Sequence, residues 1–385
     1  MNKLKIAFIS SFQPRICGIA SFTRDLRNSV LKLNRSIRAD VIALDREQKL
    51  NYEDEVVYSF LDNDIKEFVN AAKFINNSNY NVVSLQHEFG LYGGEMGEYI
   101  LYLINSLQKP LVTTIHMIPP QPTIKQTYII QKLAEKSNII VALSDYGRRD
   151  LIKIYHLDQS KVKVIPHGAF DIQISNKNEA KRKLGLLGRK VLTSLNIIRE
   201  SRGIDLVIHA LPQIIKKYPE TIYLVLGTDP DDSPKPNPYR LKLEELVIKL
   251  DLVNNVIFEN RYIPLSELND YLGATDIFLT PYRPPEQSSS GSLAYAVVAG
   301  KVCISSPYSY ARYLLSKGKG IIVPWENSDK IAESVIFLFS SPKIMEEISQ
   351  KAFIFGRKMI WKNVAEEYVK IFFKLAKNSY GQRKN

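Results

Sequence analysis

The feature that most constrains this fold is an alternation, made twice, of short apolar runs with amphipathic segments of helical period. KIAFISS, RADVIAL, NVVSLQ, LVTTIH, IIVALS and VKVIPH fill the first 167 residues. Each run has strand length and is apolar almost throughout, as expected of parallel strands whose two faces are both covered by helices. A polar stretch from about Asp171 to Lys190 breaks the pattern, and KVLTSLN, TIYLVLG, NVIFEN, DIFLTPY, VCISSP and GIIVPW begin a second series. Two series predict two doubly wound α/β domains, and 385 residues suffice for two cores. The expected boundaries are 1–170 for the first domain, 171–350 for the second and 351–385 for a helix returning to the first. From Pro342 to Lys377 the chain reads as long helices with apolar positions at Phe353, Ile360, Trp361, Val364, Tyr368, Ile371 and Phe372.

Composition narrows the classes. No window approaches the roughly 20 apolar residues that span a bilayer, and the start MNKLKIAFISSF, without a small-residue cleavage site, reads as a first strand of a cytoplasmic protein. Cys17 and Cys303 stand far apart with no CxxC or Cys/His cluster, so neither a disulfide framework nor a zinc site is indicated. The balance of 52 Lys+Arg against 40 Asp+Glu favours anionic partners. No zinc-finger spacing, RNP-type aromatic motif or DNA-reading helix accompanies it, which sets nucleic acid aside. Lys181, Arg182, Lys183 and Arg148, Arg149, Lys153 read first as solvated faces; peripheral contact with anionic lipid on the inner face of a membrane stays open.

In open α/β sheets, ligands bind beyond the C-terminal ends of the strands. After the first strand, SSFQPRICGIASFTRDL places Gly18 just before a helix expected to begin around Ala20; such a glycine lets backbone amides approach a phosphate or sugar, or merely makes a turn. No GxGxxG fingerprint follows, which argues against a nicotinamide or flavin enzyme. Gln86, His87 and Glu88 end one strand and His116 tips the next, so two of the five histidines are expected to face one cleft. Each suits hydroxyl binding or proton transfer, or a plain loop contact; a metal bound with Glu88 is the weaker reading. In the second half, Arg199 and Arg202 lie between a strand end and a helix, where guanidinium groups suit a diphosphate. Ser288, Ser289, Ser290, Gly291 and Ser292, with Leu293 next, precede an apolar helix and read as an anion cradle. A flexible linker would not run straight into a buried helix and another core strand.

Taken in order, the N-terminal glycine loop, TTIH, VALSDYGRRDL, VKVIPHG, SRGIDLVIHALPQI, TDIFLTPY, AGKV and the final helix with Trp361 resemble the retaining glycosyltransferases of GT-B fold, family four. The resemblance covers nearly the whole chain. It implies two Rossmann-like domains across an interdomain cleft, a nucleotide-sugar donor held by the second domain, an acceptor held by the first, and no obligatory metal or cofactor. By position it assigns catalysis to His116, Arg202 and Glu286 and donor binding to Gly18 and Arg202, with Arg199; to these the reading of the loops adds Ser290, Gly291, Ser292 and Leu293 for the donor and His87 and Glu88 for the acceptor. Two departures stand out. Ala294 replaces the second of the family's paired glutamates, and Ile197 stands where an arginine is common, with Arg199 as its substitute. QHEFGLYGG and SSGSLAYAVVAGK resemble a mannosyltransferase-like subgroup, which makes GDP-mannose the first expected donor and a UDP-sugar the second. The expected reaction moves a hexose, with retention, to a glycan or lipid-linked hydroxyl. A sugar-nucleotide epimerase, a phosphorylase and a silent binding protein of the same fold are the alternatives.

Overall fold

The computed structural model describes residues 4–15, 17–171, 176–230, 234–285, 287 and 289–382. Glu286, assigned above to catalysis, and Ser288 lie outside the described residues. The chain divides into two units: Met1–Gly168 with Glu286–Ser289 and Trp361–Asn385, and Ala169–Pro285 with Ser290–Ile360.

The first unit holds β1 (Lys5–Ser10), β2 (Arg38–Asp45), β3 (Val56–Leu61), β4 (Val82–His87), β5 (Leu111–Ile115), β6 (Ile139–Ala142) and β7 (Val162–Val164), with α1 (Gly18–Leu33), α2 (Ile65–Asn77), α3 (Ile100–Ser106), α4 (Ile124–Lys136) and α5 (Asp145–Lys153) between them. The strands form one seven-stranded sheet in the order β3-β2-β1-β4-β5-β6-β7 with parallel pairing. Every residue of β4 and β5 is buried, which explains their unbroken apolar character.

The second unit holds α6 (Lys177–Lys183), β8 (Lys190–Leu195), α7 (Ile204–Lys217), β9 (Thr221–Leu226), α8 (Pro238–Lys249), β10 (Val256–Glu259), α9 (Leu265–Ala274), β11 (Ile277–Thr280), α10 (Gly291–Val298), β12 (Val302–Ser305), α11 (Ser309–Leu315), β13 (Ile321–Ile322), α12 (Ser328–Phe339) and α13 (Pro342–Gly356). Its six strands run β10-β9-β8-β11-β12-β13. In both sheets the order reverses beside the first strand, at β1/β4 and at β8/β11, where crossover helices leave to opposite faces and open a crevice at the strand ends. The opposite end of the second sheet is closed by buried Asp276, which accepts from Lys181 Nζ and Val191 N at 2.7 Å each and pairs with Lys177. Burial alone would raise this carboxyl's pKa; the two lysines more than offset that and hold it low.

The last helix, α14 (Trp361–Gln382), belongs to the first unit. It lies along α1, sets Phe372 edge-on to Phe8 at 6.3 Å, and brings Tyr368 Oη to 2.9 Å from Thr114 Oγ1. Trp361 packs on Phe22 at 5.2 Å and covers Gly168 so closely that a Cβ there would lie 2.1 Å from the indole. Gly168→Ala should therefore force the indole aside and cost about 1–3 kcal/mol, read as a lower denaturant midpoint. An unchanged midpoint would refute this packing.

Candidate functional site

In the second unit the loops after β8 and β11 support each other. Arg199 is extended and opens a 3-10 turn, Glu200–Arg202, which ends at Gly203 with φ 64°. Only glycine fits there, because a Cβ would sit 2.1 Å from the carbonyl oxygen of Pro281. Arg283 donates its backbone N–H to Ser201 O at 3.0 Å and clasps Asp205, in the first turn of α7, with two guanidinium bonds of 3.0 and 2.7 Å. Tyr239 Oη donates to the same carboxylate at 2.6 Å. Burial works to raise the Asp205 pKa, but these hydrogen bonds outweigh it and keep the group ionised.

At the β8/β11 switch point, the Arg202 guanidinium lies over the Tyr282 ring, 4.6 Å from its centroid. Tyr282 donates its hydroxyl to Asn196 Oδ1 and lies 2.8 Å from Ser292 Oγ. Ser290 is the N-cap of α10: its Oγ accepts from Leu293 N at 3.3 Å. The Leu293 amide is thereby engaged within the protein, and Gly291 and Ser292 carry the first-turn amides that the helix itself leaves without acceptors. A guanidinium and a helix N-terminus thus put positive potential in one place. Arg199 goes elsewhere. With Glu200, Ser201, Pro230, Asn237 and Tyr239 it lines a cavity of about 420 Å³. Asn237 Nδ2 braces the wall through Ile198 O at 3.0 Å and Asp229 Oδ1 at 2.9 Å.

In the first unit α1 begins at Gly18, two residues ahead of the expected start, because Cys17 caps it: Cys17 Sγ accepts from Ala20 N at 3.3 Å. A Cβ on Gly18 would meet nothing within 4 Å, so no protein contact demands glycine there. His116 is buried, edge-on to Phe22 at 4.6 Å, with Nε2 2.9 Å from Gln86 Oε1. Gln86 Nε2 donates onward to Ser84 Oγ at 3.2 Å. His87 is also buried, parallel to Tyr92 and edge-on to Phe89, and neither of its ring nitrogens has a hydrogen-bond partner among the described residues. Burial pushes His87 down to about 3 and His167, a third ring against Phe22, down to about 4. His116 falls well below its ordinary value through burial first and then through its two histidine neighbours. Glu88, half-buried, accepts Leu91 N at its carbonyl and so turns the chain after β4. Among the described residues no three His, Cys, Asp or Glu side chains converge as a metal site. Tyr282, Gln86 and Asn196 were not singled out from sequence. The only trace of Tyr282 was a strand, DIFLTPY, ending on an aromatic where polar residues are expected.

Residues 18–169 match the family model described as Glycosyltransferase Family 4, and residues 176–354 match that of Glycosyl transferases group 1. Together they take in most of the chain, though neither reaches half of it alone. The chain belongs to the group 1, family 4 glycosyltransferases. Among relatives of this glycosyltransferase, the alpha-monoglucosyldiacylglycerol synthase of Streptococcus pneumoniae is 23% identical over 392 residues, spanning 94% of this chain and 84% of its own. A GDP-mannose-dependent alpha-(1-6)-phosphatidylinositol monomannoside mannosyltransferase of Mycolicibacterium smegmatis is 22% identical over 158 residues, 40% of this chain and 39% of its own. Among solved structures, sucrose-phosphate synthase from Thermosynechococcus elongatus superposes with a TM-score of 0.79 at 14% identity, covering 97% of this chain and 99% of its own. Anabaena HepE in complex with UDP and glucose gives 0.74 at 14% identity, covering 96% and 100%. Identities this low speak for the fold, which is GT-B.

The buried histidines of this glycosyltransferase have a measurable consequence. Their folded-state pKa values are depressed, so below about pH 6.5 the unfolded chain binds protons that the folded chain refuses. Stability is fully present above that pH and falls as the pH drops towards 4. His87→Phe, which preserves the stack on Tyr92, should flatten this fall, followed as denaturant midpoint against pH. An equally steep fall would show that His87 is not held neutral.

Proposed function

We propose that this glycosyltransferase moves a hexose, with retention of configuration, from a nucleoside-diphosphate sugar held by the second unit to a hydroxyl acceptor held by the first. The observation that carries the reading is the convergence of the Arg202 guanidinium, stacked on Tyr282, with the N-terminus of α10 at the β8/β11 switch point. Such a site offsets the charge that grows on a departing diphosphate, the main electrostatic demand of this chemistry. The cavity beside Arg199 has the size of a small-ligand pocket and offers room for the nucleoside. HepE, solved with UDP and glucose, and the mannosyltransferase named as GDP-mannose-dependent support a nucleotide-sugar donor. GDP-mannose is the first candidate and a UDP-hexose the second.

In this reading the acceptor hydroxyl attacks from the face that the phosphate leaves, and its proton passes to the departing phosphate oxygen. No carboxylate nucleophile is required. The offsetting charge is assigned to Arg202 and α10 rather than to a divalent cation. Neutral His116, held through Gln86, keeps its catalytic assignment by family position, while His87 and Glu88 keep theirs to the acceptor. Glu286 keeps its assignment by family position alone. The two relatives described above are named as a synthase and a transferase, which favours transfer over the epimerase, phosphorylase and silent-binder readings.

Titration with UDP, GDP and ADP tests the donor site. Wild type should bind one of them and release it from the matching sugar nucleotide; Arg202→Ala should bind at least tenfold more weakly with its melting temperature unchanged. Equal affinity would remove Arg202 from the site, and a wild type that binds none would overturn the donor reading.

We further propose a lipid-linked acceptor at a bilayer surface, in line with the diacylglycerol-based product in the name of the pneumococcal relative. Met96, Tyr102, Ile124 and Tyr128 are exposed on the neighbouring helices α3 and α4 and the turn before α3, and Ile124 reaches 93% exposure. Charges around them compensate, Lys125 with Glu98 and Lys132 with Glu135, so attraction there is mainly apolar. Among the described residues no helix is long and apolar enough to cross a membrane. Ile124→Asp with Tyr128→Asp should cut vesicle co-sedimentation several-fold; unaltered sedimentation would exclude this face.

A further inference from the structure

We propose that Tyr282 is the positioning residue of the diphosphate site, ordering the Arg202 guanidinium and the N-terminus of α10 as one unit. The inference rests on the donor reading above and goes beyond it, to the side chain that makes the site rigid before a ligand arrives.

Tyr282 is almost fully buried, and each part of its ring system is engaged. Arg202 lies over the ring at 4.6 Å, and Tyr308 stacks on it with centroids 5.1 Å apart and planes 12° from parallel. The cation and the second tyrosine thus both rest against this one ring. Tyr308 is itself buried and held by its hydroxyl on Thr280 Oγ1 at 3.3 Å, the last residue of β11. The stack therefore runs from the end of a core strand out to a guanidinium. An arginine side chain left in solvent samples many rotamers, and ordering it on a phosphate costs entropy. A ring face that attracts the cation reduces that cost without neutralising its charge.

The phenol oxygen works on the other half of the site. Its single proton goes to Asn196 Oδ1, so towards Ser292 Oγ at 2.8 Å it acts as acceptor and fixes the serine hydroxyl as donor. Ser292 is the second residue of α10, and Ser290 Oγ, 3.2 Å from Ser292 Oγ, is already bound to Leu293 N. One hydroxyl thus sets the hydrogen-bond order of the whole helix start. It sets Asn196 as well: with Oδ1 occupied, Nδ2 is a buried donor that has no partner among the described residues. A buried donor of this kind is costly unless an oxygen arrives to meet it. The phosphate or sugar oxygens of the donor supply one.

A double-mutant cycle tests the proposal, with the affinities of UDP, GDP and ADP measured by calorimetry on wild type, Tyr282→Leu, Arg202→Ala and the double variant. Tyr282→Leu should weaken binding by roughly 2- to 30-fold when Arg202 is present and by much less when it is absent. An equal loss in both backgrounds would overturn the proposal, since that pattern belongs to a merely structural residue. Tyr282→Phe supplies the arm that survives if the leucine variant does not fold. It keeps the ring and removes the hydroxyl, and should weaken binding less when Ser292 is already alanine than when serine is present. Equal losses there would equally overturn it. Wild type that binds a nucleoside diphosphate while both Tyr282 variants match it would reject the positioning role alone. Wild type that binds none would reject the donor reading and this inference with it.

Discussion

Parallel pairing is the constraint on which the rest of the structure depends. A strand that must lie parallel to its neighbour cannot turn back through a hairpin, so the chain crosses back before it can pair again, and within each sheet it does so as a helix at every connection except β2 to β3. Both faces become apolar, and polar side chains are driven to the two rims. The rims of the second sheet then diverge in chemistry. At one, Asp276 gathers Lys177, Lys181 and the amide of Val191 into an ionic knot. At the other, Asn196 Nδ2 and the first-turn amides of α10 leave donors over, beside the Arg202 guanidinium on Tyr282. The first rim is closed on itself and the second keeps hydrogen-bonding capacity, although both are products of the same strand direction.

The two units bring opposite electrostatics to their loops. In the first, three imidazoles are buried deeply enough to stay neutral, and the side chains around His116 and His87 are aromatic or amide. A neutral imidazole discriminates among hydroxyl groups by geometry and offers no bulk attraction to phosphate. In the second, a guanidinium and a helix terminus converge, and Asp205 is kept out of that field by the fork of Arg283. An unpaired carboxylate there would offset that positive potential; tied to Arg283 it instead serves the first turn of α7.

Most strands were legible because burial on both faces writes an uninterrupted apolar run into the sequence. β3 was not. It is an edge strand, five of its six residues are only partly buried, and its run VVYSFL follows the charged NYEDE, so its pattern resembles that of a surface segment. The family and the fold were legible from the order of many weak motifs. Within the loops, residue types were easier to read than their partners. Arg199 and Arg202, three positions apart, looked like one cationic pair, yet the 3-10 turn between them sends Arg199 to the cavity and Arg202 to Tyr282. Tyr282 itself was invisible because its importance comes from what surrounds it in space: Asn196 and Arg202 precede it by three helices and three strands, and Tyr308 follows it after another helix and strand. GDP-mannose came from resemblance alone, and no side chain described above distinguishes its base from another.

The return of α14 to the first unit gives this protein an order of assembly. Phe8, Phe22 and Thr114 are made early, but the partners that cover them, Phe372, Trp361 and Tyr368, are made only after the whole second unit. A ribosome adding about 5–20 residues per second therefore leaves the nascent first unit with an uncovered seam along α1 for many seconds. Arrival of α14 closes the seam, so the first unit completes its packing only after the second has been made.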